Sequence, residues 1–239
     1  MKPLPALLQQ LDRDHLVVER DFPRLDCDEL LAYCRSAVTD GSDPLLHWDF
    51  GPVMELEPSD TAKNYLFSRE PVPFHWDGVF FQVPHVLVFQ CLEAPEEGAG
   101  GETLFCLAEK LYLHLPADKR DRWAKVSITY KTDKVAHYGG EVTIPLFGTH
   151  PLKGTRVVRF AEAVATEKNP VTTTVSGVSA GEAEELVSYF TEQIYSDEFC
   201  RVHRWQPGDL VLADNHSLMH GRRGFTRNAR RRIRRIQIK

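Results

Sequence analysis

Two side chains that bind metal ions stand close together in the segment Phe-His-Trp-Asp-Gly at positions 74–78. On an extended strand, His75 and Asp77 point to the same face because alternate residues share a face. An imidazole and a carboxylate placed in this way can bind one cation. A second imidazole, His220, follows a polar turn far along the chain. We therefore predict a metal site built from His75, Asp77 and His220.

A set of two histidines and one carboxylate leaves several coordination positions open and is typical of non-haem Fe(II) oxygenases. A lone His-x-Asp pair is common by chance, so the prediction depends on context. Pro73 favours extended backbone before it, and Gly78 allows a sharp turn after Asp77. A turn signal at 207–209 and an apolar strand pattern lead to His220. Seven histidines without such context are expected in surface or packing roles: His47, His85, His114, His137, His150, His203 and His216.

The last segment of the chain carries an anion-binding pattern. Strand periodicity puts Arg231, Ile233 and Arg235 on one face. A buried guanidinium is costly unless an anion meets it, and its planar fork matches carboxylates. Without the histidines, a solvated basic edge strand or a nucleic-acid patch is the better interpretation. With them, the segment predicts an anion pocket beside the metal.

The remaining pattern favours a mainly β protein with flanking helices (α+β). Helices are predicted at 26–39, at 107–124 with an interruption at Pro116, and at 180–195, where Ser179 and Glu182 form a capping box. Short segments rich in β-branched and aromatic residues predict strands at 72–76, 85–92, 126–132, 155–160, 208–213 and 232–238. Because strands and helices do not alternate regularly, a doubly wound parallel sheet is disfavoured. We predict a double-stranded β-helix, the cupin-like jelly roll.

Length and composition indicate one domain, 1–239, with no repeat or linker. The net charge of −5 gives no reason to expect a nucleic-acid or membrane partner. Five scattered cysteines are interpreted as reduced thiols. No signal peptide or membrane-spanning stretch is evident. We expect a cytoplasmic protein that acts on a small molecule, and the sequence leaves the oligomeric state open.

Several pieces of the chain occur in the order seen in one enzyme family. They are Phe74–Gly78, Gly100-Gly-Glu-Thr-Leu-Phe105, Trp205-Gln-Pro-Gly-Asp-Leu210, Asp214-Asn215, His220-Gly-Arg222 and the strand with Arg231 and Arg235. The ordered set resembles the taurine dioxygenase (TauD/TfdA)-like family of Fe(II)/2-oxoglutarate-dependent oxygenases. The resemblance covers roughly two thirds of the chain, from residue 74 onwards.

The resemblance implies roles for individual residues. His75, Asp77 and His220 correspond to the iron ligands. Thr103 and Arg231 correspond to the residues that bind the distal carboxylate of the cosubstrate 2-oxoglutarate. Arg235 matches a position that contacts an acidic substrate group in some members, and Arg222 is a second candidate for that contact.

The implied reaction couples O2 and the oxidative decarboxylation of 2-oxoglutarate, which yields succinate and CO2, to oxidation of a substrate C–H bond. Because Asp77 is present where halogenases of the family have a small residue, the resemblance implies hydroxylation or desaturation and no halogenation. The motifs are also similar to those of members that modify amino-acid-derived natural products, including tyrosine-derived isocyanides. The alternatives are a Zn(II) hydrolase on the same ligands, which lacks an evident general base, and a non-enzymatic jelly-roll binding module.

Three features depart from the family pattern. Trp76 stands between the proximal ligands, where members often have a small hydroxyl residue, and its indole is expected to support the barrel. The chain is short for the family, which suggests a reduced lid. The segment 133–155, with glycines at 139, 140 and 148, is our candidate for a mobile wall of the substrate pocket.

Overall fold

The computed structural model describes residues 1–135 and 138–239. In that part of the chain, the strands are β1 (Leu16–Glu19), β2 (Val53–Leu56), β3 (Val72–His75), β4 (Val86–Glu93), β5 (Thr103–Leu107), β6 (Ser127–Val135), β7 (Tyr138–Pro145), β8 (Phe147–Thr149), β9 (Arg156–Val158), β10 (Thr172–Ser176), β11 (Cys200–His203), β12 (Leu210–Asp214), β13 (Leu218–Arg222) and β14 (Arg232–Ile238). The helices are α1 (Leu4–Asp14), α2 (Cys27–Arg35), α3 (Ala108–His114), α4 (Ala117–Arg122) and α5 (Ala180–Tyr195).

Two antiparallel sheets form the barrel. One has five strands in the order β1-β12-β4-β14-β2, and the other has four in the order β11-β5-β13-β3. Apolar side chains from both sheets meet between them, including Phe89 of β4, Phe105 of β5 and Ile233 of β14. The predicted jelly roll is thereby confirmed.

Helices cover the outer faces of both sheets. Leu7 of α1 and Leu30 of α2 pack with Ile236 of β14 on the outside of the five-stranded sheet. Phe190 of α5 packs with Phe74 of β3 on the outside of the four-stranded sheet. Burial of these faces removes the apolar side chains from water and fixes the strand register, since a slip by one residue would exchange the two faces.

The strand β14 lies in the interior of its sheet, between β4 and β2. Ile233 faces the barrel interior, whereas Ile236 and Ile238 face the helices. The alternation predicted for this segment is therefore confirmed. The alternative of a solvated basic edge strand is wrong, because β14 has a partner on each side.

Each predicted helix and strand overlaps an observed element of the same type, but some of the predicted first and last residues differ from the observed ones. The helix at 180–195 has the predicted bounds and the predicted capping box at Ser179. The helix predicted at 26–39 ends at Arg35. The segment 107–124 forms two helices separated by Leu115 and Pro116, because proline cannot continue a helix. All six predicted strands overlap observed strands.

The helix α1 is absent from the sequence-based prediction. Pro3 and Pro5 are compatible with α1, because proline is well tolerated at the start of a helix, where its missing N–H has no intrahelical partner. Leu4, Leu7 and Leu11 then bury one face. No helix in the described ranges is both long and apolar enough to cross a membrane.

The predicted pocket wall at 133–155 contains the end of β6, the whole of β7, strand β8 and the turn that follows it. His137, expected in a surface or packing role, lies outside the described residues. The mobility of this segment stays a prediction.

Candidate metal centre

The three predicted ligands meet at one end of the barrel. In the antiparallel pair of β13 and β3, His220 stands directly opposite His75, and their ring centroids are 4.4 Å apart. Asp77 Oδ1 lies 3.5 Å from His75 Nε2 and 3.9 Å from His220 Nε2. The donor atoms of all three side chains lie within 4.8 Å of one another. This set of two nitrogens and one oxygen fits a divalent transition metal and leaves one side open.

The protonation states of the three side chains favour metal binding at this centre. The His75 Nδ1–H donates to Pro73 O at 2.9 Å, which directs Nε2 towards the centre. Burial, with the neighbouring His75, lowers the pKa of His220 to about 3, so that its imidazole is neutral at physiological pH. Burial alone would raise the pKa of Asp77, but the positive charge of Arg235 outweighs it and holds that pKa well below its usual range. The centre therefore presents one carboxylate and a neutral buried imidazole.

The carboxylate of Asp77 is held by two donors from β14. Its Oδ2 accepts hydrogen bonds from Arg235 Nη1 and Gln237 Nε2, each at 2.7 Å. Since Oδ2 is engaged, Oδ1 is the atom left for a cation. Sequence reasoning missed Gln237, although it stands two residues after Arg235 and so shares its face of the strand.

The backbone around Asp77 is fixed by the buried side chain of Asn215. Its Oδ1 accepts from the Asp77 N–H at 2.9 Å, and its Nδ2 donates to Asp77 O at 3.1 Å and to Pro84 O at 3.0 Å. Gly78 then turns the chain with a φ of +90°, where a Cβ would lie 2.1 Å from Gln82 O. Asn215 of the distal motif thus positions the proximal ligand.

Replacement of Asn215 by alanine is expected to lower the free energy of unfolding by about 2–3 kcal/mol, because it leaves the buried Asp77 N–H and Pro84 O without a partner. Urea unfolding monitored by circular dichroism would measure the loss. Asn228, which is exposed, is the matched control, and Asn228→Ala should change stability by less than about 0.5 kcal/mol. Equal effects at the two positions would contradict the assigned role.

A basic pocket adjoins the ligands. Arg231 is 4% exposed, and it donates through Nε to Gly101 O at 3.0 Å and through Nη2 to Thr103 Oγ1 at 3.4 Å. Among the described residues, no carboxylate lies within 4.0 Å of its guanidinium. Burial lowers the pKa of Arg231 to about 9, and the charge of Arg222 adds to that effect. A buried cation without a counterion calls for an anionic ligand.

The hydroxyl group of Thr103 is oriented to donate a hydrogen bond to the same anion. Its Oγ1 accepts from Trp205 Nε1 at 2.9 Å and from Arg231 Nη2. With both lone pairs engaged, the hydroxyl hydrogen is the part of Thr103 that can donate to a carboxylate. Thr103, Arg231, His75 and His220 line one cavity, so the structure brings the two predicted subsites together.

The two arginines predicted to contact a substrate have protein partners. Arg222 donates to Leu66 O at 2.9 Å, Ser68 O at 2.7 Å and Glu70 O at 2.8 Å. Arg235 holds Asp77, as described above. Both line the cavity. The engaged Nη groups favour positioning roles over the predicted contact with the substrate, although the buried Nε of Arg222 has no partner among the described residues. The acceptors of Arg222 are backbone carbonyls in a loop, which no side-chain motif could indicate.

A second group of potential metal ligands, His85, His150 and Asp214, lies outside this cavity. Asp214 Oδ2 accepts from Lys153 Nζ at 2.9 Å, from Ser217 Oγ at 2.8 Å and from His150 Nε2 at 3.0 Å. An ammonium group therefore already occupies the position that a cation would take. This supports the packing role predicted for His85 and His150.

Comparison with known proteins finds similarity over nearly the whole chain. Residues 2–237 match the sequence model of the family described as taurine catabolism dioxygenase TauD, TfdA family. The chain is 42% identical over 236 residues to 3-((Z)-2-isocyanoethenyl)-1H-indole synthase from Fischerella ambigua, covering 97% of this chain and 85% of that protein. It is 32% identical over 243 residues to tyrosine isonitrile desaturase from Pseudomonas aeruginosa, covering 98% of this chain and 81% of that protein.

Among solved structures, the PvcB protein from Pseudomonas aeruginosa is similar, with a TM-score of 0.80 and 29% sequence identity over 99% of this chain and 80% of that chain. A second structure of PvcB is described as an Fe, alpha-ketoglutarate dependent oxygenase from an isonitrile synthetic pathway. These matches include every strand that carries the metal centre and the basic pocket.

Proposed function

Because the chain belongs to the TauD/TfdA family of Fe(II)/2-oxoglutarate-dependent oxygenases, we propose that it desaturates a small isonitrile derived from an aromatic amino acid. The observation that carries the proposal is a cavity lined by His75, His220 and Arg231. The two histidines form a set of potential metal ligands with Asp77, and among the described residues no carboxylate pairs with Arg231. The names of the two relatives supply the substrate class, since one makes an isocyanoethenyl indole and the other desaturates a tyrosine isonitrile.

The residues of the cavity divide into two groups by role. His75, Asp77 and His220 would hold Fe(II), and Thr103 and Arg231 would hold the distal carboxylate of 2-oxoglutarate. Together with 2-oxoglutarate, the bound metal supplies the activation of O2 that the protein side chains cannot provide. The interior face of β14 orients Asp77 through Arg235 and Gln237, so the open side of the metal centre has a fixed direction.

The desaturation is balanced in atoms and electrons. The substrate loses two hydrogen atoms from adjacent carbons, 2-oxoglutarate is oxidised to succinate and CO2, and O2 is reduced, with one oxygen atom entering succinate and the other leaving as water. The presence of Asp77 supports this reaction over halogenation, because the carboxylate occupies the position that a halide ligand would need.

Charge around the cavity supports an anionic substrate. Three arginines, Arg222, Arg231 and Arg235, line the cavity, and no Asp or Glu is among its lining residues. In the described ranges, one of the three guanidiniums pairs with a carboxylate, that of Arg235 with Asp77. The distal carboxylate of 2-oxoglutarate would neutralise a second. A carboxylate on the substrate would reduce the remaining positive charge, as expected for an amino-acid-derived isonitrile.

The proposal is tested in two stages. Anaerobic addition of Fe(II) and 2-oxoglutarate should produce a visible metal-to-ligand charge-transfer band. O2 and the isonitrile of tyrosine or tryptophan should then give succinate and a product that lacks two hydrogens, detected by mass spectrometry. Substrate deuterated at Cβ should lose one deuterium. Absence of the band in folded, iron-loaded protein, or a product that gains oxygen, would contradict the proposed desaturation.

We also propose that residues 1–239 act as one domain in the cytoplasm. The family match over residues 2–237 supports the first statement. Five cysteines without a disulfide support the second, since thiols remain reduced in that compartment.

A further inference from the structure

An aromatic cluster, defined as Trp48, Phe50, Phe81 and Tyr138, stands beside the metal centre. The Trp48 ring is stacked on Phe50 with centroids 6.2 Å apart, and it lies 5.6 Å from the Phe81 centroid and 5.9 Å from the Tyr138 centroid. Phe50 is 56% and Phe81 50% exposed. Exposed aromatic rings grouped together are typical of a surface that binds a ligand.

The backbone places these rings from three separate segments. Trp48 follows residues that run beside the end of β14, where Leu46 N donates to Gln237 O at 2.9 Å. Phe81 is held by the turn after the metal ligand, since its N–H donates to Gly78 O at 3.0 Å. Tyr138 begins β7. Convergence from distant parts of the sequence indicates that the tertiary fold, and no local motif, builds the cluster.

A chain of hydrogen bonds joins the cluster to the metal centre. Trp48 Nε1 donates to Gln237 Oε1 at 2.6 Å, and Gln237 Nε2 donates to Asp77 Oδ2 at 2.7 Å. The cluster therefore lies within two side chains of a metal ligand, close enough for one small molecule to contact both.

We propose that the aromatic cluster binds the ring of the substrate and that Trp48 is its main specificity-determining residue. The inference rests on the proposed function for the identity of the reacting group, but it adds the side chains that select an aromatic substrate. Trp48 offers the largest π face, and its indole N–H is fixed by Gln237, so little conformational freedom is lost when a ring packs against it.

The matched substitutions Trp48→Ala and Trp48→Phe separate the ring from the hydrogen bond, because both remove the bond to Gln237 and only Trp48→Phe keeps an aromatic face. The dissociation constant is measured anaerobically, from the change that the added compound causes in the charge-transfer band of the Fe(II)/2-oxoglutarate protein. For tryptophan isonitrile we expect about 10- to 30-fold weaker binding to Trp48→Ala and less than about threefold weaker binding to Trp48→Phe. Leucine isonitrile should bind both variants within about threefold of the unaltered protein.

Two further variants serve as a second test of the cluster and as a control. Phe81→Ala, at a half-exposed position that tolerates truncation, should weaken aromatic binding in the same direction if Trp48→Ala fails to fold. Leu113→Ala, at an exposed apolar position on α3, should leave the binding of both isonitriles unchanged.

The outcomes distinguish this inference from the proposed function. If the unaltered protein binds no isonitrile but prefers indole-3-propionate to heptanoate, and Trp48→Ala removes that preference, the cluster has its assigned role and the isonitrile substrate is wrong. If the unaltered protein shows no aromatic preference, or Trp48→Ala and Phe81→Ala both retain it, the role of the cluster is overturned.

Discussion

Replacement of His75 by alanine is expected to reduce succinate formation at least about 100-fold while the protein remains folded. Loss of a residue that only supports a metal ligand already costs up to about 100-fold in activity, and loss of a ligand should cost more. The His75 side chain is 22% exposed, and its hydrogen bond within the protein is to Pro73 O, so its removal leaves the barrel intact. Loss of one of three ligands should also weaken Fe(II) binding. Equilibrium dialysis for iron and a succinate assay would measure the two effects.

Asp77→Ala should differ from His75→Ala in stability. Both should abolish turnover, but the loss of Asp77 leaves the buried Arg235 without its carboxylate, which costs about 3–5 kcal/mol when one partner of a buried ion pair is removed. Thermal unfolding of the two apo variants would show the difference. His114→Ala, an exposed histidine on α3, is the control and should keep both activity and stability. Normal succinate formation by His75→Ala would contradict the metal centre.

Arg231→Ala is expected to raise the KM for 2-oxoglutarate by about 100-fold or more, because a buried charge pair with the cosubstrate carboxylate contributes about 2–5 kcal/mol or more. The value of kcat at saturating 2-oxoglutarate should fall less, since the residue contacts the end of the cosubstrate remote from the metal. Steady-state succinate kinetics would separate the two parameters.

Stability provides an independent readout for Arg231. Burying this guanidinium without a counterion is unfavourable in the apo protein, so Arg231→Ala should leave the apo melting temperature nearly unchanged. The increase in melting temperature that 2-oxoglutarate causes in the unaltered protein should be lost. Arg231→Lys retains the charge but not the planar fork, and it should restore part of the affinity. A variant without Arg231 that binds 2-oxoglutarate normally would show that the pocket is misassigned.

The chemistry of the cavity could be read from the sequence where side-chain type and strand period coincide. His75 and Asp77 share a face of an extended segment, and the alternation of β14 directs Arg231 and Arg235 inwards. Gln237 follows the same alternation, but an amide carries no signal of metal or anion binding by itself. The family match then resolves the choice among an oxygenase, a zinc hydrolase and a binding module in favour of the oxygenase.

Features that depend on tertiary contacts could not be read in this way. Arg222 stands in a family motif beside a metal ligand, yet its partners are carbonyls of a loop that is more than 150 residues away in sequence. The aromatic cluster has the same origin, because Trp48, Phe81 and Tyr138 come together through turns and strand pairing. Sequence patterns record the period of one element, and they carry no information about which distant loops meet.

The position of β14 in its sheet has a consequence for biosynthesis. Residues 232–238 pair with both β4 and β2, which are made much earlier, so the edges that these two strands offer to β14 stay unpaired until β14 leaves the ribosome. The same segment holds Asp77, and Arg231, the proposed cosubstrate anchor, stands immediately before it. A chain made only as far as His220 has the three proposed metal ligands but lacks Arg231, so we expect it not to bind 2-oxoglutarate. Turnover is therefore expected only from chains whose synthesis has included β14.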